Sequence, residues 1–189
     1  MWRKSIMFFL VVMVLGGCSS RQVQDSMVGS TAQRLVTHSI DQLMAKLPAS
    51  DFEPLRGKSI ILETHFVENG PLKDYADERL AVALNERFDI KIATSPLSVD
   101  ALLKVFYTSL GTDQELAGFY LPLGIIPGQD PESRINLISL EKFHGVTELY
   151  YYMLEDGELS RGPTLISRTR TDALGLPIIT IPISRLPGD

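Results

Sequence analysis

The residue best suited to covalent chemistry is Cys18, because it supplies the only thiol in a chain of 189 residues. It follows a short basic start, Arg3-Lys4, and an uncharged run from Ile6 to Gly17. A basic start, about a dozen apolar residues and small residues before a cut are typical of an export signal. The uncharged run is too short to cross a bilayer as a helix, which takes about 20 residues. The sequence therefore predicts a cleaved signal peptide over residues 1–17.

The four residues Leu15-Gly16-Gly17-Cys18 resemble a bacterial lipobox. The resemblance implies that the Cys18 thiol receives a diacylglycerol, that the signal is cut between Gly17 and Cys18, and that the new amino group is then acylated. Two or three acyl chains on one residue give stable anchoring where a single chain is marginal. By analogy with Gram-negative lipoproteins, Ser19 after the cysteine favours the periplasmic face of the outer membrane. The alternative is an ordinary signal in which Cys18 is only a small apolar residue.

Charge and composition exclude several classes of function. Removing residues 1–17 takes away two basic side chains and no acids, so 16 basic against 23 acidic residues give the mature chain a formal charge of −7. An acidic chain is a poor binder of nucleic acid, and anionic lipid does not attract it. A hydrophobic fraction of 44% argues against both disorder and a polytopic membrane protein. We therefore predict no nucleic-acid partner and a membrane attachment through the acyl chains alone.

The other side chains of catalytic type are scattered. His38, His65 and His144 lie far apart in the sequence, and none belongs to a spacing that chelates a metal. The acidic pairs Asp77-Glu78 and Glu155-Asp156 are expected in a helical turn and beside a hairpin, where both are solvated. The sequence contains neither a nucleophile elbow nor a glycine-rich phosphate loop. It therefore predicts no catalytic residue, no metal site and no cofactor.

An uncharged stretch, Gly118–Gly128, is the first candidate for a contact surface. Its glycines and prolines predict a loop, and its apolar side chains are unfavourable in water. One interpretation folds this loop over the core as a lid. The other makes it a contact surface for a partner, a second subunit or the membrane. The candidate contact residues are Phe119, Tyr120, Leu121, Leu123, Ile125 and Ile126.

Three successive tyrosines, Tyr150, Tyr151 and Tyr152, are the second candidate. Side chains alternate between the two faces of a strand, so Tyr151 should lie opposite the other two, with at least one ring exposed. Aromatic rings are frequent anchors of protein interfaces, although tyrosines are also common in strands for packing reasons alone.

Hydrophobic patterns predict the elements that position these residues. They indicate helices over residues 31–47 and 74–88, and strands over 58–67, 90–94, 101–110, 145–154 and 159–171. Leu110-Gly111-Thr112-Asp113 is predicted to end a strand in a turn, Asp156-Gly157 to form a hairpin turn, and 176–184 to be a proline-bearing edge strand or wrapping tail. The prediction is one α+β domain over 31–189 behind an anchored flexible linker, 18–30. Its fold is a two-layer sandwich of helices on a mixed sheet, with a β-hairpin in the C-terminal half.

Two short stretches resemble a family of small bacterial lipoproteins. They are Phe52–Lys58, which leads into the first strand, and Leu110–Asp113 after the third. More loosely, residues 31–128 are similar to periplasmic lipoproteins with a TolB-amino-terminal or CsgG-like α/β core. That resemblance implies an accessory or ring-forming part of an envelope machine, without catalytic residues.

These observations lead to one main hypothesis and two alternatives. The main one is a non-catalytic outer-membrane lipoprotein whose periplasmic domain binds other envelope proteins or itself. An envelope enzyme or small-ligand-binding protein is the first alternative, with Gly118–Gly128 as a lid over a pocket that gathers His65, Glu63 or Asp113. The second is a structural spacer that tolerates substitution throughout that loop.

Overall fold

A computed structural model of the chain describes residues 30–95, 99–122, 134–176 and 179–183. In this part of the chain, three α-helices pack on a mixed, open sheet of seven strands, which confirms the predicted α+β sandwich. The helices are α1 (Ser30–Ala45), α2 (Ala49–Phe52) and α3 (Pro71–Phe88), with a 3-10 turn at Glu53–Leu55. The strands are β1 (Ser59–His65), β2 (Lys91–Ile92), β3 (Ala101–Pro122), β4 (Arg134–Glu155), β5 (Glu158–Arg161), β6 (Leu165–Gly175) and β7 (Thr180–Pro182).

The sheet has the strand order β2-β1-β3-β4-β6-β7, and β5 pairs with β4 beside this row. β1 is parallel to both β2 and β3, whereas the β4–β5 and β6–β7 pairs are antiparallel. The chain divides into two compact units. Met27–Thr112 with Gly145–Thr169 is called the helical unit, and Asp113–His144 with Arg170–Asp189 the strand unit. The prediction of one folded domain over 31–189 stays a prediction.

The core of the helical unit lies between its helices and one face of its sheet. α1 buries side chains at three- and four-residue steps, as its sequence predicts. The buried residues of α1 are Leu35, Val36, Ser39, Ile40, Leu43 and Met44. Leu80, Leu84 and Phe88 of α3 join them, and odd-numbered residues of β3 and β4 complete the core. Even-numbered residues of β3 and β4 in this unit therefore point to the opposite face of the sheet.

α1 lies unusually close to the sheet. A Cβ atom placed on Gly145 of β4 would be 2.2 Å from the carbonyl oxygen of Leu35, so only glycine allows this approach. The Thr169 hydroxyl donates a hydrogen bond to that same carbonyl oxygen. The hydroxyls of Ser39 and Thr147 lie 2.6 Å apart in a second buried hydrogen bond. Small and hydroxyl-bearing residues thus fix where α1 crosses the strands.

α3 begins at Pro71, three residues before the predicted start, because proline is well tolerated in the first turn of a helix. It ends at Phe88 as predicted, where Asp89 adopts a left-handed conformation with φ of 55°. Near this end the Arg87 guanidinium donates hydrogen bonds to the carbonyl oxygens of Met44 and Leu47. These bonds satisfy carbonyl groups that the end of α1 leaves without helical partners.

β3 corrects two predictions. The strand continues through Leu110-Gly111-Thr112-Asp113, so the predicted turn there is wrong. It also includes Gly118–Pro122, which were predicted to be part of a loop. The remaining residues of that loop, 123–128, lie outside the described residues. Glycine is required at 118 because a Cβ there would lie 2.4 Å from the carbonyl oxygen of Ile138 and 2.7 Å from the Cα of Ser139, both on β4.

The C-terminal hairpin agrees with its prediction. Asp156 and Gly157 have φ values of 50° and 83°, as the favoured two-residue hairpin turns require. Two boundaries differ: β4 begins at Arg134 rather than at Gly145, and the return strand is divided into β5 and β6. Gly162, in the interruption, lies so close to the Tyr151 ring that a Cβ would be 2.2 Å from it. β7 is an edge strand, as the prolines of that segment predict.

Candidate functional site

Aromatic side chains gather on the face of the helical unit's sheet that no described helix covers. Phe106 of β3 and Tyr150 and Tyr152 of β4 lie at even-numbered positions, opposite the core, and His65 at the end of β1 joins them. The three rings of Phe106, Tyr150 and Tyr152 are half-buried and His65 is exposed. These four residues are called the aromatic cluster.

The rings of the cluster contact one another in defined geometries. His65 is the cross-strand partner of Phe106, and their rings stack with centroids 4.7 Å apart. Phe106 stacks on Tyr150 at 5.3 Å, with 11° between the planes. Tyr152 meets both rings edge-on, at 6.0 Å and 5.9 Å. Aromatic pairs of this kind contribute about 0.5–1.5 kcal/mol each beyond the area they bury, so the rings are held in place.

The C-terminal hairpin places a cation over the cluster. Arg161 of β5 is the cross-strand partner of Tyr152, and its guanidinium carbon lies 5.0 Å from the centroid of the Tyr150 ring. Arginine over a tyrosine face is attracted by the negative charge of the ring's π electrons. No salt bridge joins Arg161 to another residue in the described part of the chain. Its guanidinium N–H groups therefore remain able to bind a carboxylate.

Around the cluster the same face carries charged and apolar side chains. Lys104 forms an ion pair with Glu63 at 3.1 Å, with both side chains more than 40% exposed. Exposed pairs of this kind contribute about 0–1 kcal/mol. Leu159, two residues before Arg161, is 65% exposed. The face therefore combines fixed aromatic rings with exposed apolar surface and a cation.

The three successive tyrosines alternate as predicted. Tyr151 points into the core, where its ring contacts Phe52 and its hydroxyl donates a 2.6 Å hydrogen bond to Asp51. Burial raises the pKa of the Tyr151 hydroxyl, and the adjacent Asp51 carboxylate raises it further. Tyr151 is therefore a core residue and not an interface residue, which leaves Tyr150 and Tyr152 as the interface candidates.

Replacing Tyr151 by phenylalanine should lower the free energy of unfolding by about 1–2 kcal/mol, because it removes a buried hydrogen bond to a carboxylate. Chemical denaturation followed by far-UV circular dichroism measures the change. Tyr152→Phe is the matched control, because it removes the same hydroxyl group from the neighbouring residue, whose side chain is half-buried on the opposite face. The free energy of unfolding of this control should stay within about 0.5 kcal/mol of the wild type. Equal losses in the two variants would contradict this assignment.

Three polar side chains that the sequence analysis did not group together meet between α3 and β1. The Lys73 amine is 2.6 Å from Asp77 Oδ2 and 2.7 Å from Thr64 Oγ1, and the Lys73 side chain is only 12% exposed. Asp77 was predicted to be a solvated charge, and this is wrong because it is paired with Lys73 and largely buried. Burial and the nearby Asp77 carboxylate raise the pKa of the Tyr107 hydroxyl. The four-residue spacing of Lys73 and Asp77 on a helix was the available signal.

The other described residues of catalytic type lie on separate elements. Glu63 and His65 share the face of the aromatic cluster, His38 lies on α1, and Asp113 belongs to the strand unit. Within the described residues, no group of three or more His, Cys, Asp and Glu side chains could hold a metal ion. The helices that the structure describes include none that is both long and apolar enough to cross a membrane.

Several predicted site residues lie outside the described residues. They are Gly17, Cys18, Leu123, Ile125 and Ile126. Of the remaining predicted contact residues, Phe119, Tyr120 and Leu121 lie in β3. Phe119 is exposed and Tyr120 is half-buried.

Comparison with protein-family models and with curated proteins finds no match for this chain. The aromatic cluster is therefore interpreted from its own chemistry. Its distinguishing property is a preformed set of rings beside Arg161, on a face that no described helix covers.

Proposed function

We propose that this chain is a lipid-anchored, non-catalytic lipoprotein of the outer membrane that faces the periplasm. It acts as an accessory or assembly component by binding another envelope protein. The lipobox-like tetrad ending at Cys18 supports the anchor. The observation that carries the binding role is the aromatic cluster with Arg161 beside it, on a face that the described helices leave uncovered.

The composition of this face matches that of protein interfaces. Tyrosine and arginine are enriched among the residues that dominate binding energy, whereas lysine and glutamate are depleted at interface centres. Phe106, Tyr150 and Tyr152 each keep part of their ring surface exposed. A partner that covered these rings would remove that apolar surface from water, which is the main driving force of association.

The cluster is also ordered before any partner arrives. Binding that immobilises a side chain with many rotamers costs about 0.5–1.5 kcal/mol for each such side chain. Here the ring contacts with Phe106 and the position of Arg161 already restrict Tyr150. Most of that cost is therefore met by folding, which leaves more of the contact energy for binding.

Two exposed arginines on this face are available to carboxylates of a partner segment. Arg168 of β6 lies between the buried residues Ser167 and Thr169, so it points to the same face as Arg161. Both arginines are exposed, in a chain whose mature form has a formal charge of −7. A segment with carboxylates beside apolar side chains would complement this surface.

The resemblance to TolB-amino-terminal and CsgG-like lipoproteins is consistent with an accessory role, and the partner is another envelope protein or a second copy of this chain. The alternative of an envelope enzyme or small-ligand-binding protein has less support among the described residues. His65 packs on Phe106 and Glu63 pairs with Lys104. Gly118–Pro122, the start of the predicted lid, is a strand.

A photo-crosslinking phenylalanine analogue at Tyr150 should capture a specific envelope protein in intact cells, because that side chain lies at the centre of the proposed interface. The same analogue at Tyr75, an exposed tyrosine on α3, is the matched control and should give no such adduct. Adducts are identified by mass spectrometry after purification from membranes.

The double substitution Tyr150→Ala and Tyr152→Ala should reduce co-purification of that partner about tenfold or more, since losing a dominant aromatic anchor costs at least about 1.4 kcal/mol. Circular dichroism checks that the variant still folds. An acylated, folded protein that gives no adduct at Tyr150, or the same adducts at both positions, would refute the proposed binding role.

A further inference from the structure

The strand unit exposes a row of large apolar side chains near the end where β3 stops and β4 begins. Phe119, Ile138, Ile179, Ile181 and Ile183 are each 44% to 59% exposed. These five residues are called the isoleucine patch. They come from three different strands or strand ends, so their exposure is a property of the folded sheet and not of one hydrophobic segment.

The first two members of the patch lie on the same face of the sheet. Gly118 of β3 is in close contact with Ser139 of β4, so these two residues face the same side. In both strands the neighbouring residue points the other way. Phe119 and Ile138 therefore lie next to each other on the opposite side.

The remaining members lie on this same face. Gly175 of β6 also contacts Ser139, so its neighbour Leu174 points to the side of the patch. Leu174 is the cross-strand partner of Ile181 of β7. Alternation along the chain places Ile179 and Ile183, which flank β7, on that side as well. With strands about 4.8 Å apart, the patch crosses four neighbouring strands.

The patch itself is uncharged, and the charged side chains of its face lie at its border or further along the strands. Lys142 pairs with Glu115 at 3.7 Å, and Arg170 pairs with Asp172 at 2.5 Å. Asp172 borders the patch, because its backbone carbonyl oxygen accepts a hydrogen bond from the Ile183 N–H. Glu115 lies further along β3, as does the exposed acid Asp113, which alternation places on this face. The face therefore changes from charged to apolar side chains along the direction of β3.

We propose that the isoleucine patch contacts the hydrocarbon region of the bilayer in which the acylated Cys18 is anchored. The uncharged members of the patch offer no complement to an acidic or a basic partner, whereas lipid chains are equally uncharged. Pro182 in the edge strand β7 lacks the backbone donor that strand pairing with a second copy would use.

The anchor makes this weak contact effective. Twelve residues separate Cys18 from Ser30, where α1 begins, and a fully extended chain of that length reaches about 40 Å. A tethered patch meets the membrane at a high effective concentration, so a modest apolar contact suffices to hold it there. This inference rests on the proposed function for the anchor and adds a second membrane contact to it.

Tryptophan fluorescence in vesicles tests the contact directly. Trp2 is the only tryptophan and lies in the predicted signal peptide, so Trp2→Phe gives a chain without tryptophan. In that background, Phe119→Trp places a reporter in the patch, and Tyr75→Trp on α3 is the matched control. Each full-length protein, processed in its host, is reconstituted in phosphatidylcholine vesicles with or without brominated acyl chains.

We expect the emission of the Phe119→Trp protein to shift to shorter wavelength and to be quenched by brominated lipid, while the control is not quenched. Equal quenching of the two proteins, or none in either, would overturn the proposal. A shift without quenching would overturn it in favour of self-association through the patch. Mass spectrometry measures the acylation of Cys18 separately. An unmodified Cys18 refutes the lipid anchor even if the fluorescence of the Phe119→Trp protein is quenched. An acylated protein whose fluorescence is not quenched refutes only the membrane contact of the patch.

Discussion

Replacing Gly145 by alanine should lower the free energy of unfolding by about 3 kcal/mol, because the new methyl group has no space. Its carbon would lie 2.2 Å from the carbonyl oxygen of Leu35 and 2.3 Å from the carbonyl carbon. Both atoms belong to the backbone of α1, so the helix as a whole would have to move. That movement would stretch the buried hydrogen bond between Thr169 and Leu35 and the one between Ser39 and Thr147.

Urea denaturation measures this effect as a lower transition midpoint with an unchanged slope. Gly111→Ala is the matched control, since Gly111 is also in a strand, has no positive φ and would place its Cβ in open space. The control should remain within about 0.5 kcal/mol of the wild type. If Gly145→Ala were as stable as Gly111→Ala, α1 would not lie as close to β4 as described.

Replacing Cys18 by alanine should release the protein from the membrane fraction, because it removes the thiol that the proposed lipid anchor requires. No other residue of the chain can substitute, since Cys18 is the only cysteine. The isoleucine patch alone is expected to be too weak to retain the protein, just as a single acyl chain gives only marginal binding. Membrane fractionation measures the release, and the mass of the mature protein shows whether acyl chains are present.

Ser20→Ala is the control for Cys18→Ala, and it should leave acylation and membrane retention unchanged. Ser19→Asp is more informative, since the analogy with Gram-negative lipoproteins expects it to keep the acyl chains and move the protein to the inner membrane. A mature wild-type protein with an unmodified Cys18 would end the lipoprotein hypothesis.

Local sequence patterns were sufficient to predict most helices and strands. The three- and four-residue spacing of apolar residues identified α1, and these residues are buried on one face of the helix. The Asp156-Gly157 dipeptide identified the hairpin because few residues tolerate positive φ at both turn positions. In each case the physical cause acts within a few residues of chain, so the sequence shows it directly.

The errors fell where distant residues decide the structure. Leu110–Asp113 has the composition of a turn, yet it lies inside the long strand β3. Gly118 reads as a strand breaker, but it is required where Ser139 approaches the backbone of β3. Asp77 reads as a solvated charge, but the packing of α3 against β1 brings the Thr64 hydroxyl onto it, beside Lys73 of the same helix.

The candidate site was predicted in part. Alternation along β4 separates Tyr151 from Tyr150 and Tyr152 with no knowledge of the fold. The alternating pattern of β4 does not predict which of the two faces of the sheet the helices cover. It depends on α1 and α3 packing against the odd-numbered residues, and the rest of the cluster, Phe106, His65 and Arg161, comes from other strands.

The amino-acid sequence alone shows the chemistry available to this protein: one thiol in a lipobox-like tetrad, an acidic composition, and helices and strands in a recognisable order. These follow from residue types and short-range spacing. The tertiary structure shows which aromatic rings meet, which face of the helical unit's sheet the described helices leave uncovered, and that isoleucines from separate strands form one apolar surface. Such groupings depend on strand register and helix packing between residues far apart in the chain, and no local pattern encodes them.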